Sequence, residues 1–583
     1  MENLNKSNEL AYDVAIIGLG PAGLTLAHIL GKRGLRIVVL EKEPVFYGNA
    51  RAVYTDDECM RVFQSTGVAE DLHKDMMFDI PVQFTYEDGT PIGQYTPTGT
   101  PNGWPIVNFL YQPYLETKLS DKLGQYNNVT VFRGREFRSL TQDSQGVTVF
   151  HIASDGTGYG QRPESPKPKE EEDERSVRAS FAIGCDGGRS KVREFLKIKM
   201  SGKSFPEPWL VVDLKQKDVE LGLRHLPYFN FYCDPNGPVV SCPQPDGYHR
   251  FEFRLKAGTS KEYMERPETV RMLLSKHVNP DHFEIKRRLV YTFNGLVAEK
   301  WREGRVLLAG DAAHMTPQFM GQGMSSGIRD AYNLGWKLIE VIHGRAGEKL
   351  LDTYQSERYF HAKDMIFIST LLKDVVSLEN KFLAGLRDLF LKAVKTIPSL
   401  YNIFREGKFK PKPKYRKGSY LGLARNSANL HAGSLIPQPD LQFIDGTNRK
   451  MDEIIGDSYA LIGQGIDPRE NLSEESLSFL NSLGTKYITI YEKGKRPQGI
   501  RGIARDLDPD LKEMEDIYSL LNPWFRQAGY KKNGIVLLRP DKFVFGMANA
   551  KGDKLAEELK RQLDISSAVC YQKLRGLAQV QHG

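Results

Sequence analysis

Three glycine-rich segments, far apart in the chain, carry the residue types that can hold an anionic dinucleotide. They are Gly18-Leu19-Gly20-Pro21-Ala22-Gly23, Gly184-Cys185-Asp186-Gly187 and Gly310-Asp311-Ala312-Ala313-His314. The first follows an apolar run, residues 13–17, and opens a segment whose Leu24, Ala27 and Leu30 recur at helical spacing. A strand–turn–helix of this kind aims backbone N–H groups and the positive end of a helix dipole at one spot, where a pyrophosphate fits. Gly18 permits the tight turn, Gly20 lets the phosphate approach the backbone, and Gly23 lets the helix pack on the strand, with Pro21 and Ala22 completing the helix start. A second apolar run, residues 36–40, ends in Glu41 and Lys42. A carboxylate there, roughly 20 residues beyond the glycines, can take the hydroxyls of an unphosphorylated adenosine ribose.

The third segment follows the apolar residues 305–309 and precedes Gly321-Gln322-Gly323-Met324-Ser325-Ser326-Gly327, which opens a long helix through Asp330, Asn333, Trp336 and Lys337. Asp311 is placed to accept a hydrogen bond from a ribityl hydroxyl, and the helix start at Gly323-Met324 to aim donors at the N1/C2 carbonyl edge of a flavin. Reduced flavin carries negative charge at that edge, which a helix N-terminus stabilises. Asp311 also reads as a turn or N-cap aspartate, and one glycine-rich turn alone equally serves NAD or plain packing. The three segments together predict FAD. The middle one, with Arg189, Ser190 and Arg193 behind Asp186, reads either as another wall of the cofactor site or as a further strand–turn–helix of the same sheet.

These motifs join Arg51-Ala52-Val53 ahead of Asp56-Asp57-Glu58, Gln112-Pro113 with Leu115-Glu116, and Asn333-Leu334 with Trp336-Lys337-Leu338. The set resembles the class A flavoprotein aromatic hydroxylases, the para-hydroxybenzoate hydroxylase type of fold, most closely the 3-(3-hydroxyphenyl)propionate hydroxylase branch, over most of the chain. The resemblance implies an α/β architecture: a Rossmann-like FAD-binding domain with an inserted β-sheet substrate domain and a C-terminal thioredoxin-like domain. It also implies that NAD(P)H reduces the flavin, that O2 then gives a C4a-hydroperoxyflavin, and that its distal oxygen attacks a phenolic ring ortho to the hydroxyl, with no protein nucleophile. Arg51, Gln112 and Asp186 join the expected cofactor-binding residues on this ground, as does Pro317, whose carbonyl would also lie beside the substrate ring. Where the family often has two prolines this chain has Pro317-Gln318, which leaves the substrate open. An enzyme of this kind avoids futile peroxide by reducing its flavin only with substrate bound. Gly321 and Gly323 would leave room for the flavin to move, and Arg51 would hold the pyrophosphate still.

With 583 residues, 40% of them hydrophobic, the chain is globular and too long for one core. The flavin motifs flank a region that alternates as strands do, at 228–232 and 248–254. The expected division is an FAD-binding domain of residues 1–85, 106–205 and 295–350, and a substrate sheet of 86–105 and 206–294. A helical segment (351–405), a basic linker (406–430) and a thioredoxin-like domain (431–583) would follow. The last has no CxxC, so its expected role is structural, a homodimer contact among the options. Net charge is +7 and diffuse apart from Lys408 to Lys417, a tract read as a solvated connector and not as a nucleic-acid surface. A Pro, Glu and Lys-rich stretch at 162–174 reads as a surface loop. The polar start has no apolar signal core and no run is long enough to span a bilayer, which predicts a cytoplasmic protein. Five cysteines without metal spacing indicate neither a zinc site nor a disulfide scaffold.

For the base that draws the phenol proton, Tyr232, Tyr228 and His249 on the alternating strands are the candidates, each equally readable as core. Arg250 or Arg224 could pair with a substrate carboxylate. His314 reads as packing beside the flavin. Other functions stay open: a same-fold monooxygenase of a polycyclic, heteroaromatic or antibiotic compound, or a flavin-based sensor or scaffold.

Overall fold

The computed structural model describes residues 11–46, 48, 50–156, 173–218, 226–256, 258–420, 430–497 and 511–567. Arg224, Cys570 and residues 157–172, most of the Pro, Glu and Lys-rich stretch, lie outside these.

The apolar run at the start becomes the strand Tyr12–Ile17, flanked in parallel by Ile37–Glu41 and Arg175–Gly184. Val129–Arg133 and Val306–Leu308 extend the parallel set outward. Val14, Ala15 and Ile16 are fully buried, because helices cover both faces of such a sheet and the strands must be apolar throughout. Helix Pro21–Gly31 lies against helix Gln322–Ile342. Gly335 permits that contact, since a Cβ there would meet Ile29 Cγ2 at 2.7 Å.

A second sheet of eight strands runs in the order His314–Met315, Phe283–Ala298, Met200–Gln216, Tyr248–Arg254, Val239–Pro243, Phe229–Tyr232, Val82–Thr85, Pro91–Tyr95. Alternation gives it two apolar faces. One carries Trp209, Phe229, Phe231, Val240 and Cys242 and packs on Val53, Phe109 and Phe319 from the flavin-motif side. The other carries Leu210, Val212, Tyr232, Phe251 and Phe253 and packs on Met264, Val270 and Leu274 of two outer helices. Three expected boundaries need correcting. Val82–Thr85, assigned to the cofactor domain, pairs with Phe229–Tyr232, and the edges at 205/206 and 294/295 fall inside the long strands Met200–Gln216 and Phe283–Ala298. A strand that passes from one domain into the next changes partners without changing composition.

The C-terminal sheet places Ala460–Gln464 parallel to Lys486–Glu492 on one side and antiparallel to Gly534–Leu538 on the other, with Val544–Asn549 antiparallel beyond. Helices Glu474–Ser482 and Asp553–Leu563 pack on each other. This unit docks through buried ions. Arg539 donates to Glu357 at 2.8 and 3.0 Å, and Lys337 to the same carboxylate at 2.8 Å, all three side chains having 0% exposure. Arg61 grips Asp452 at 2.8 Å through two nitrogens. Asn333 and Lys337, expected with the flavin motifs, therefore serve the domain junction. The basic tract is a solvated connector only in part: Lys408, Lys412, Arg416 and Lys417 are exposed, but Lys410 donates to Asp56 at 2.7 Å and to Glu58 at 2.6 Å, and Tyr415 stacks on Phe543 with ring centres 4.0 Å apart. A sequence pattern of alternating charge does not reveal that buried acids await it.

Candidate active site

The first glycine motif builds a cradle by exclusion. Gly18 has φ +102°, and a Cβ on it would lie 2.5 Å from the Cys185 carbonyl oxygen, so the first and middle motifs touch backbone to backbone. A Cβ on Gly23 would meet Gly18 O at 2.1 Å, whereas around Gly20 there is nothing within 4 Å. Gly20 caps helix Pro21–Gly31 without any side-chain hydrogen bond, leaving the first-turn N–H groups directed into that open space. Glu41 accepts from Leu19 N at 2.6 Å and from Glu43 N at 2.9 Å, one oxygen each. A lone pair remains on each oxygen for a ribose hydroxyl.

The middle motif is locally rigid. Ser190 caps helix Lys191–Phe195, Asp186 Oδ2 accepts from Val192 N at 3.1 Å, and Arg193 donates to the Ala312 carbonyl at 3.0 Å, tying this wall to the third motif. Asp186 Oδ1 is buried with no partner, and burial pushes the Asp186 carboxyl above the usual carboxylate range. An orphaned acceptor beside the glycine cradle is what the hydroxyl of a bound nucleotide would satisfy by donating to it.

In the third motif Gly310 adopts φ +63° and its N–H donates to Asp330 Oδ2 at 3.0 Å; the same oxygen pairs with His314 Nε2 at 2.6 Å, and Arg358 holds the other at 2.8 Å. His314 is thus a buried strut, as expected. Asp311 accepts no hydrogen bond from the described residues; burial pushes its carboxyl up, against the pull of Arg51 and His314. Asp311 Oδ1 lies 3.9 Å from where a Cβ of Gly323 would stand, so the carboxylate and the start of helix Gln322–Ile342 with Met324 share one corner. Gly321 departs from expectation. Its φ of +53° is left-handed, and its missing Cβ would strike Tyr54 Cε1 at 2.3 Å, so the space there belongs to the Tyr54 ring and not to a moving flavin. The Tyr54 hydroxyl donates to the Met320 carbonyl, fixing the turn. Gln112 acts through backbone: its Oε1 accepts from Arg51 N at 2.7 Å and Ala52 N at 2.6 Å, shaping the loop that presents Arg51.

Above this corner stands the inner face of the second sheet. Tyr232 and His249 do not reach it. Tyr232 packs on His277 with ring centres 4.6 Å apart, on the outer face, and His249 binds Ser241 at 2.7 Å. Tyr228 precedes the strand Phe229–Tyr232 and is not brought to the inner-face cluster. The strand reading was right but its parity was hidden: even positions of 229–232 face out. Arg250 does face in, yet it is not a free cation. It pairs with Asp213 at 2.6 Å and donates to the Arg51 and Ala50 carbonyls at 2.6 Å each, clamping the sheet to the cofactor loop. Two residues on, Glu252 is buried on the same inner face and accepts from Gln318 Nε2, next to Pro317, at 2.5 Å. Pro317 itself is anchored by Ser369, whose hydroxyl donates to its carbonyl at 2.5 Å. Neither Glu252 nor Tyr54 was expected. A charged residue at every second place of a strand, Arg250 then Glu252, is the sequence signal that a polar inner face was present.

The cradle, orphaned acceptors and roofed corner fit one large, anionic, ring-bearing cofactor held between two domains. A family described as FAD binding domain matches residues 11–368, and one described as HcaD C-terminal domain matches residues 433–562. The chain is 35% identical to the 3-(3-hydroxy-phenyl)propionate/3-hydroxycinnamic acid hydroxylase of Mycobacterium avium, covering 92% of this chain and 90% of that one. The chain belongs to the FAD-dependent aromatic hydroxylases. A hydroxylase of the same description from Burkholderia vietnamiensis is 33% identical over 94% of this chain and 96% of its own length. Among solved structures, aklavinone-11 hydroxylase, in complex with FAD and aklavinone, superposes with a TM-score of 0.74 at 22% identity, covering 96% of this chain and 100% of that one. The flavin monooxygenase PieE gives 0.72 at 20% identity, covering 96% and 99%. The fold is shared over nearly the whole length of this hydroxylase.

Proposed function

We propose that this hydroxylase acts on a 3-(3-hydroxyphenyl)propionate-like acid, placing a second hydroxyl ortho to the first, with NAD(P)H and O2 as co-substrates. The observation that carries this reading is the extent of the likeness: relatives of that description match at 33–35% identity along more than nine-tenths of the chain. FAD, when bound, supplies hydride acceptance and O2 activation. The chain's residues do the rest. The Gly18 to Gly23 turn would cradle the pyrophosphate, Glu41 would take the adenosine ribose, Asp311 the ribityl chain and Asp186 a further polar group, and the N-terminus of helix Gln322–Ile342 would stabilise negative charge on the reduced ring. Pro317 presents the wall beside the substrate ring. The inner face of Trp209, Phe229 and Phe231, with Phe319 packed on it, excludes water, which protects a reactive oxygen donor and fixes the ring close to it.

The C-terminal unit is read as thioredoxin-like, supported by its strand order Leu511–Asp516, Lys486–Glu492, Ala460–Gln464, Gly534–Leu538, Val544–Asn549, in which the first two pairs are parallel and the last two antiparallel. Its described residues contain no cysteine, consistent with a structural role. No helix among the described residues is long and apolar enough to cross a membrane; dependence on NAD(P)H fits a cytoplasmic enzyme.

The test is NADH or NADPH oxidation by the FAD-loaded protein with 3-(3-hydroxyphenyl)propionate, 3-hydroxycinnamate, unsubstituted phenol and a polycyclic phenol, with product identified by mass. Stimulation by the two acids and a product heavier by one oxygen supports the reading. Turnover confined to the polycyclic compound replaces the substrate class, and reduction that no aromatic affects rejects the hydroxylation.

A further inference from the structure

The outer-face positions of Tyr232 and His249, and the place of Tyr228 ahead of its strand and outside the inner-face cluster, leave the phenol without an expected base. Among the described residues of the inner face near Pro317, the ionisable side chains include Glu252, Asp213, Arg250, Arg287, Cys242 and Tyr291, whose hydroxyl accepts from Arg287 at 3.2 Å. Asp213 is consumed: it pairs with Arg250 at 2.6 Å and with Arg287 at 2.8 Å. Glu252 is different. Arg250 comes no nearer than 4.0 Å, and the one short hydrogen bond to its carboxyl that crosses the gap is from Gln318, on the turn Gln318–Met320 that leads into the cofactor loop. Glu252 therefore bridges the substrate sheet and the residue following Pro317.

We propose that Glu252, held in place by Gln318, is the base that accepts the phenolic proton of the substrate. This rests on the hydroxylase reading above. In the step, the phenol O–H bond breaks and its proton goes to the Glu252 carboxylate; the electron pair left on oxygen drives the ortho carbon onto an O2-derived oxygen, so that the new C–O bond forms as the O–O bond breaks and the other oxygen atom leaves as water. The ring C–H proton at that carbon is then lost to water as Glu252 returns its proton to the ring oxygen, restoring the aromatic diol. The oxidant is O2 and the reductant NAD(P)H, as in the parent reaction. Burial pushes the Glu252 carboxyl up and Asp213 adds to this, while Arg250 and Arg287 pull it down, with the balance at about 7. A base is most effective when its proton affinity lies close to the working pH. Cys242, from the neighbouring strand Val239–Pro243, also faces it, and burial pushes that thiol well up, so it stays neutral.

Glu252→Gln separates this role from a purely structural one, because an amide still pairs with Gln318 but cannot take a proton. Expected is a loss of about 100-fold or more in kcat and the absence of the rising limb that the proposal predicts for the wild-type rate near pH 7. FAD content stays normal, with NAD(P)H consumption diverted to H2O2. Gln318→Leu is the second variant: removing the donor to the carboxylate moves the limb to higher pH while leaving it present. A Glu252→Gln enzyme with FAD bound that keeps wild-type kcat and its pH limb overturns the assignment. So does an unmoved limb in Gln318→Leu should the first variant not fold. Failure of the hydroxylase reading is seen separately, as a wild-type protein that oxidises no phenol.

Discussion

Replacing Asp311 with alanine should weaken FAD binding without weakening the fold. Most charged side chains at the domain junctions are paired, but Asp311 accepts no hydrogen bond from the described residues, and burial already pushes its carboxyl up. Its deletion leaves no protein donor unsatisfied. With FAD bound, the carboxylate would accept from a ribityl hydroxyl, a charge-assisted bond worth about 1.5–3 kcal/mol. At 1.4 kcal/mol per decade the dissociation constant should rise about 10- to 100-fold. The apoprotein should melt at the same temperature or above it. A pH dependence follows, with its sign fixed by linkage. The folded apoprotein holds this proton more tightly than the unfolded chain, so its stability falls as pH rises from the normal carboxylate range through the raised value. The Asp311→Ala apoprotein should lose that slope. Fluorescence titration of apoprotein with FAD, together with thermal melts of the flavin-free protein at pH 4 to 8, reads all three quantities. Unchanged FAD affinity, or an apoprotein that melts several degrees lower, refutes the reasoning.

The glycine cradle gives a contrasting pair. Gly20→Ala should fold normally and lose FAD affinity, since the protein leaves its Cβ free space that the pyrophosphate needs, whereas Gly23→Ala, whose Cβ would stand 2.1 Å from Gly18 O, should lower the melting temperature of the apoprotein itself; circular dichroism melts and FAD titration distinguish them. Glu357→Ala strands two buried cations, Lys337 and Arg539, and should cost about 3–5 kcal/mol, read as a lower denaturation midpoint and faster proteolytic release of the C-terminal unit. Burial alone would raise Glu357, but Arg539 and Lys337 overcome it and hold the carboxyl down at about 2. Its contribution is present above the unfolded carboxylate range and is lost only as pH falls toward that value, so the variant's deficit should shrink in strong acid. Tyr232→Phe should leave kcat and its pH profile unchanged, because the ring packs among the outer helices; a turnover defect with intact FAD content would return that tyrosine to the active site.

The cofactor was legible in the sequence because binding a pyrophosphate makes local demands: glycines where a side chain would collide, an apolar strand before them, a helix after. Those demands sit within about ten residues of one another, so spacing alone carries them. The same holds for the turn at Gly310-Asp311 and for the alternation that announced the second sheet. What spacing cannot carry is which partner arrives from elsewhere in the chain. Arg250 looked like a free cation until Asp213 and the Ala50 and Arg51 carbonyls closed on it. Lys410 looked solvated until Asp56 and Glu58, more than 350 residues earlier, enclosed it. Gly321 was read as room for a flavin and proves to be room for Tyr54. The parity of strand Phe229–Tyr232 was undetermined because both of its faces are apolar, one against the cofactor domain and one against outer helices, so alternation in hydrophobicity could not say which side meets the substrate. Sequence determined the parts that a ligand shapes over one turn of chain; only the tertiary structure decided those that depend on two distant segments burying charge or ring against each other, since desolvation and pairing are properties of the meeting and not of either segment.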